Sequence, residues 1–224
     1  MSEPELRLFD TADAALANAA HELAAAARGG LHIALSGGSV ASAFPGAADA
    51  EPDWSRAEVW WSDERCVPPD DGQSNYRLAR ENLLDGLAGS PRAVHRVQGE
   101  LGPGPAADVY DEEVDGVRLG LALQGIGPDG HTASLFPNAP ALDERDRRAL
   151  AVHRDDVDRV TLTLPVLCAA ETVLFLAFGE DKADAIRRAF AEEPSPKTPA
   201  SLVRSAQGRT LVLLDRAAAV RLPS

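Results

Sequence analysis

Three stretches of this chain carry apolar side chains at consecutive positions instead of alternate ones: Leu119-Gly-Leu-Ala-Leu123, Val173-Leu-Phe-Leu-Ala-Phe178 and Thr210-Leu-Val-Leu-Leu-Asp215. A strand with one wet face alternates apolar and polar residues, so an unbroken apolar run belongs to a strand covered on both faces. Such strands are parallel and need long crossovers between them. Helical segments are available for that purpose. Thr11 can cap a helix running to about Arg28, with Leu16 and Leu23 on one face and Gly29-Gly30 to end it. Residues 74–87 read as helical, with Leu83, Leu84 and Leu87 as the buried face, and so do residues 106–117. Residues 181–193 form a further helix with Ala183, Ile186, Ala189 and Phe190 inward, stopped by Pro194. Shorter strands are expected over residues 31–35 and 57–61, and extended chain over 150–152 and 159–164. Strands alternating with helices predict an α/β fold with a mostly parallel central sheet and helices on both faces. Residues 1–224 are expected to form one domain, with the proline-rich 194–199 segment as a loop.

Charge narrows the choice of partner. Lys and Arg number 22 against 35 Asp and Glu, so the net charge is 22 − 35 = −13. That disfavours nucleic acid and anionic membrane surfaces. A local basic cluster can still bind a small anion, because the global field is screened within about 10 Å. The two cysteines, Cys66 and Cys168, lack the spacing of a zinc site and read as reduced thiols, Cys168 as a small core residue. The first residues show no basic and apolar leader, and no apolar run approaches the length of a membrane span. A cytoplasmic protein is the expectation.

Chemistry-bearing residues fall at four expected strand ends. After residues 31–35 comes Ser36-Gly37-Gly38-Ser39, whose glycines let backbone N–H groups approach a ligand, more so if a helix starts near Ser39. After residues 57–61 comes Asp63-Glu64-Arg65, where Arg65 can hold a phosphate bidentately. After the first continuous run comes Gly125-Ile-Gly-Pro-Asp-Gly-His-Thr-Ala-Ser-Leu-Phe-Pro137. Its first six residues match the dinucleotide pattern G-x-G-x-x-G. Asp129 would place a negative charge in that cradle, and Pro137 and Pro140 interrupt any crossover helix, so we set the dinucleotide reading aside. The better reading is a tight turn presenting Asp129 beside His131, whose neutral imidazole can take a proton from water. After residues 173–178 comes Gly179-Glu-Asp-Lys182, where Lys182 stands against the dipole of a helix start. Taken singly, each stretch also reads as an ordinary turn or solvated strand end. Together they line one edge of a parallel sheet with an anion cradle, two cations, carboxylates and a base. Such an edge suits a small phosphorylated molecule whose reacting carbon lies away from the phosphate.

These residues resemble the 6-phosphogluconolactonase family, within the superfamily shared with glucosamine-6-phosphate deaminase. The resemblance rests on Leu35-Ser-Gly-Gly-Ser39, on Ser62-Asp-Glu-Arg-Cys-Val-Pro68 with Ser74-Asn-Tyr76, and on the histidine motif of residues 125–137. It continues through Arg159-Val-Thr-Leu-Thr-Leu-Pro165, Gly179 with Lys182-Ala183, and Leu214-Asp-Arg-Ala-Ala218. It implies a Rossmann-like three-layer fold and hydrolysis of 6-phosphoglucono-δ-lactone to 6-phosphogluconate, the second step of the oxidative pentose phosphate pathway. It also implies no metal and no organic cofactor. Carried over by motif, His131 is the general base, and Arg65, Lys182 and the Gly37-Gly38-Ser39 backbone form the phosphate cradle. Asp129 or Asp63 would hold ring hydroxyls or orient the base. The expected partner is the sugar phosphate alone, and the expected state a monomer. Val40-Ala41 replace the family's usual Thr-Pro, and Cys168 a common asparagine. Phe136 stands where the deaminases carry a glutamate, which disfavours deaminase chemistry. The deaminase and a non-catalytic sugar-phosphate-binding module are the two alternatives.

Overall fold

The computed structural model describes residues 3–223 and places the three continuous apolar runs side by side inside one sheet. Its strands are β1 (Glu5–Phe9), β2 (His32–Leu35), β3 (Glu58–Trp61), β5 (Ala93–Val94), β6 (Leu121–Gln124), β9 (Thr172–Ala177) and β10 (Arg209–Asp215). Among the described residues they order as β1-β10-β9-β6-β2-β3-β5, and every pairing is parallel. The runs are β6, β9 and β10, each flanked on both sides by another strand. Leu123, Leu174, Phe175 and Leu213 are fully buried there. Each large apolar side chain taken from water contributes about 1.5–3 kcal/mol, so this block anchors the fold.

The helices are α1 (Ala12–Arg28), α2 (Phe44–Ala50), α3 (Asn75–Asn82), α4 (Pro103–Val114), α5 (Leu164–Ala169) and α6 (Ala183–Phe190). Thr11 caps α1 as expected, its hydroxyl accepting the Ala14 amide at 3.3 Å. The buried face of α1 is mostly alanine, with Leu23 as its one large fully buried residue, so the helix can lie close to the sheet. The helix expected over 74–87 is α3 followed by a 3-10 turn, Leu84–Gly86. Leu83 is buried, but Leu84 and Leu87 are only partly so. The helix expected over 106–117 begins at Pro103, whose ring suits a first helical position, and ends at Val114. Within the described residues, no helix is long and apolar enough to cross a membrane.

A second, antiparallel sheet orders β4 (Asp63–Arg65), β8 (Arg159–Leu162) and β7 (Ala149–Val152) as β4-β8-β7. Only Ser62 separates β3 from β4, so the chain steps directly from one sheet to the other. The reading of residues 63–65 as a solvated strand end fails here. Asp63 and Glu64 are buried, because β4 pairs with β8 and packs under α3.

Candidate active site

A cleft of about 200 Å³ lies across the carboxyl ends of β9, β6, β2 and β3. The chain proceeds from β2 to β3 on one side and later places β6 on the other, so the cleft opens where the strand order reverses. Open α/β sheets bind their ligands at such a point. All four segments expected at strand ends contribute. Gly37, Gly38, Ser39, Asp63, Arg65, His131 and Lys182 line the cleft, and Asp129 joins it through His131.

The histidine loop is held from within. The Gly130 amide donates to the Gly127 carbonyl and the Gly127 amide to the His131 carbonyl, both at 2.9 Å. Asp129 Oδ1 accepts the His131 amide at 3.1 Å and lies 2.6 Å from Nδ1 of the same residue. An ionised carboxylate only accepts, so Nδ1 carries a proton, and when the ring is neutral Nε2 keeps a free lone pair. Burial works to raise the Asp129 pKa. The His131 amide, charge and ring N–H outweigh it and hold the carboxyl below its ordinary value. One face of the imidazole lies on Gly127, where any Cβ would overlap the ring. The Phe136 ring stands 5.0 Å away, centroid to centroid, and carries the Arg154 guanidinium 4.1 Å from its own centroid. Thr132 Oγ1 donates to the Gly125 carbonyl, and Ala133 sits at φ 47°, a left-handed strain placed at the cleft wall.

Asp63 does not touch His131 in the hydrogen-bond pattern. Its Oδ2 accepts from Ser134 Oγ at 2.7 Å and so anchors the histidine loop from below. Glu64 turns the other way. Its carboxylate accepts the amides of Arg65, Asn75 and Tyr76, each at 2.7 Å, and caps α3.

Three cations line the same cleft as the histidine loop. The β4–β8 register sets Arg65 directly across from Arg159, a like-charge pair that is unfavourable without a counterion. Arg65 Nη1 donates to the Gln73 carbonyl at 2.7 Å and Arg159 Nη2 to Asp156 at 2.6 Å. Both Nε atoms are buried without a partner. Lys182 reaches the same cleft and pairs with Asp181 at 3.3 Å. Two opposed guanidinium groups with unspent donors form a ready site for a phosphate.

Gly37 and Gly38 close this end. Gly38 has φ 70° and open space around it, whereas a Cβ on Gly37 would overlap Asn75 Oδ1. What starts at Gly38 is a 3-10 turn, Gly38–Ala43, instead of an α-helix at Ser39, so attraction for an anion rests on the backbone amides alone. Val40 and Ala41 are both buried. A Cβ on Gly125 would come 3.2 Å from the Val40 side chain, so the valine packs beside the histidine loop. Cys168 is only partly buried, on α5, its thiol donating to the Leu202 carbonyl at 3.4 Å.

Arg159 and Asn75 line the cleft and were not singled out from the sequence as site residues. A lone arginine opening an apolar strand was the available signal for Arg159. Asn75 follows the capping serine of α3, which explains its neighbourhood without any ligand.

Comparison with known proteins follows the same lines. Residues 5–212 match the family described as "Glucosamine-6-phosphate isomerases/6-phosphogluconolactonase". A Streptomyces coelicolor protein named 6-phosphogluconolactonase is 36% identical, over 89% of this chain and 85% of its own length. The Homo sapiens protein of that name is 38% identical, over 87% of this chain and 82% of its own. A crystal structure described as devB protein superposes with a TM-score of 0.87 at 31% identity, covering 98% of this chain and 99% of the other.

Proposed function

The chain belongs to the family of glucosamine-6-phosphate isomerases and 6-phosphogluconolactonases, and from that premise we propose that it hydrolyses 6-phospho-D-glucono-1,5-lactone to 6-phospho-D-gluconate. The observation that carries this reading is the pairing, in one cleft, of an Asp129-oriented His131 with the opposed Arg65 and Arg159. The phosphate binds to Arg65, Arg159, Lys182 and the Gly37-Gly38-Ser39 backbone, which sets C1 near His131. Nε2 of His131 takes a proton from water as the water oxygen bonds to C1. The tetrahedral oxyanion then collapses, the bond from C1 to the ring oxygen breaks, and the proton passes to that oxygen. Asp129 fixes the imidazole tautomer and stabilises the imidazolium. Asp63 holds the base loop through Ser134. Phe136 supplies an apolar wall where ring-opening deaminase chemistry would want a carboxylate. The reaction is the second step of the oxidative pentose phosphate pathway, carried out by a cytoplasmic monomer.

Acid release from fresh 6-phosphogluconolactone, followed at controlled pH against the spontaneous background, tests the reading. The wild type is expected to accelerate it. His131→Asn is expected to lose about 10²–10⁴ in kcat, the usual worth of general base help. Full turnover in that variant, or release of ammonia from glucosamine 6-phosphate by the wild type, would overturn the assignment.

A further inference from the structure

Asn75 meets Gly37 directly and the histidine loop through Asp63. Its side chain is buried at the start of α3, and Nδ2 donates to the Asp63 carbonyl at 2.9 Å. Oδ1 is pressed against Gly37 and accepts no hydrogen bond. A buried amide oxygen with no donor is uncommon and calls for a reason. From Asp63 the line continues through its carboxylate to Ser134 Oγ at 2.7 Å, and Ser134 follows His131 by three residues in the same loop. One row of contacts thus joins the phosphate turn to the base loop. Asn75 cannot drift along that row. Its amide is held at 2.7 Å by Glu64, the neighbour of Asp63 on β4. Gly37 is therefore the fixed point of its turn, and Gly38, with open space around it, is the part free to adjust.

We propose that Asn75 is a positioning residue: it sets the span between the anion cradle and His131, and thereby lets binding of the substrate's phosphate speed reaction at the distant carbon. The inference rests on the lactonase reading. Binding energy from a remote group raises turnover only if it places the reacting atom correctly. A misplacement of about 1 Å can cost ~10²-fold.

The readout is the ratio of kcat/KM for 6-phosphogluconolactone to that for unphosphorylated gluconolactone, with KM and kcat measured separately. Asn75→Ala removes both contacts. Asn75→Asp keeps the volume and the oxygen against Gly37 but replaces the donor facing the Asp63 carbonyl. It serves as the test if the alanine variant fails to fold. In each variant the ratio is expected to fall about tenfold or more, with kcat on the phosphorylated substrate dropping, as misplacement predicts. An equal loss on both substrates, or an unchanged ratio, would show Asn75 to be only structural and overturn the proposal. A wild type that releases no acid above background sinks the lactonase reading itself, a different result from an active wild type whose variants keep the ratio.

Discussion

Gly127 is a glycine because the His131 ring occupies the place of its side chain. Gly127→Ala is expected to push the imidazole off Asp129 and lower kcat about 10–100-fold, since small displacements of a base are costly. The overlap should also cost about 1–3 kcal/mol of stability. Kinetics beside thermal melting separates the two effects. A variant with wild-type kcat would show that the ring position does not matter. At this scale the sequence carried much of the site. Asp129 and His131 were legible because a turn with three glycines and two titratable groups has few other uses. Gly37 and Gly38 were legible as a place where backbone could meet a ligand. Arg159 and Asn75 were not, because each owes its position to a distant partner. Arg159 enters the cleft only when β8 pairs with β4, and Asn75 only when α3 is drawn onto Glu64. Neither event has a local sequence signature.

Glu64 shows what an element demands of one residue. It accepts the first amides of α3 and so adds a second cap, from β4, to the local one that Ser74 supplies. Burial pushes its carboxyl above the ordinary 4.5, opposed by the amides of Asn75, Tyr76 and Arg65 and assisted by the charge of Asp63. A raised folded pKa means that ionisation is harder in the fold than in the unfolded chain. The corresponding stability is complete below 4.5 and is lost as pH rises through the raised value. Glu64→Gln removes this titration but leaves a helix-start amide poorly satisfied, a constant cost of about 1–3 kcal/mol. Urea midpoints measured from pH 4 upward should therefore show the wild type losing stability relative to the variant. Parallel curves would refute the account. The long elements were legible through their patterns, as with α1 and the three interior strands. Among the short ones, β2, β3, β7 and β8 were legible too, whereas β1, β4 and α5 were not. β1 lies at a sheet edge, β4 is three charged or polar-facing residues, and α5 is six residues around a proline. The apolar spacing of Leu84 and Leu87 extends the helical pattern of residues 74–87 past the point where the backbone tightens into a 3-10 turn.

Across the whole molecule, a net charge of −13 surrounds a cleft built of Arg65, Arg159 and Lys182. Charge at the surface and charge at the site thus serve different ends, and the total says little about the ligand. The two thiols report on the fold as a unit. Burial, aided by the charges of Asp158 and Glu64, pushes Cys66 up to about 11, and burial raises Cys168 as well. Since the thiolate is the reactive species, neither should react with iodoacetamide in the native protein at pH 8. Both should react in denaturant, with labelling that follows global unfolding. Rapid native labelling of either would show local opening. The sheet order has a further consequence, for synthesis. Among the described residues β1 precedes every other strand and β10 follows them, yet β1 pairs only with β10. Leu6 and Phe9 must wait for that partner while the strands between β1 and β10 are made. A nascent chain stalled before Arg209 lacks two strands of its sheet, the missing one and the one already waiting for it.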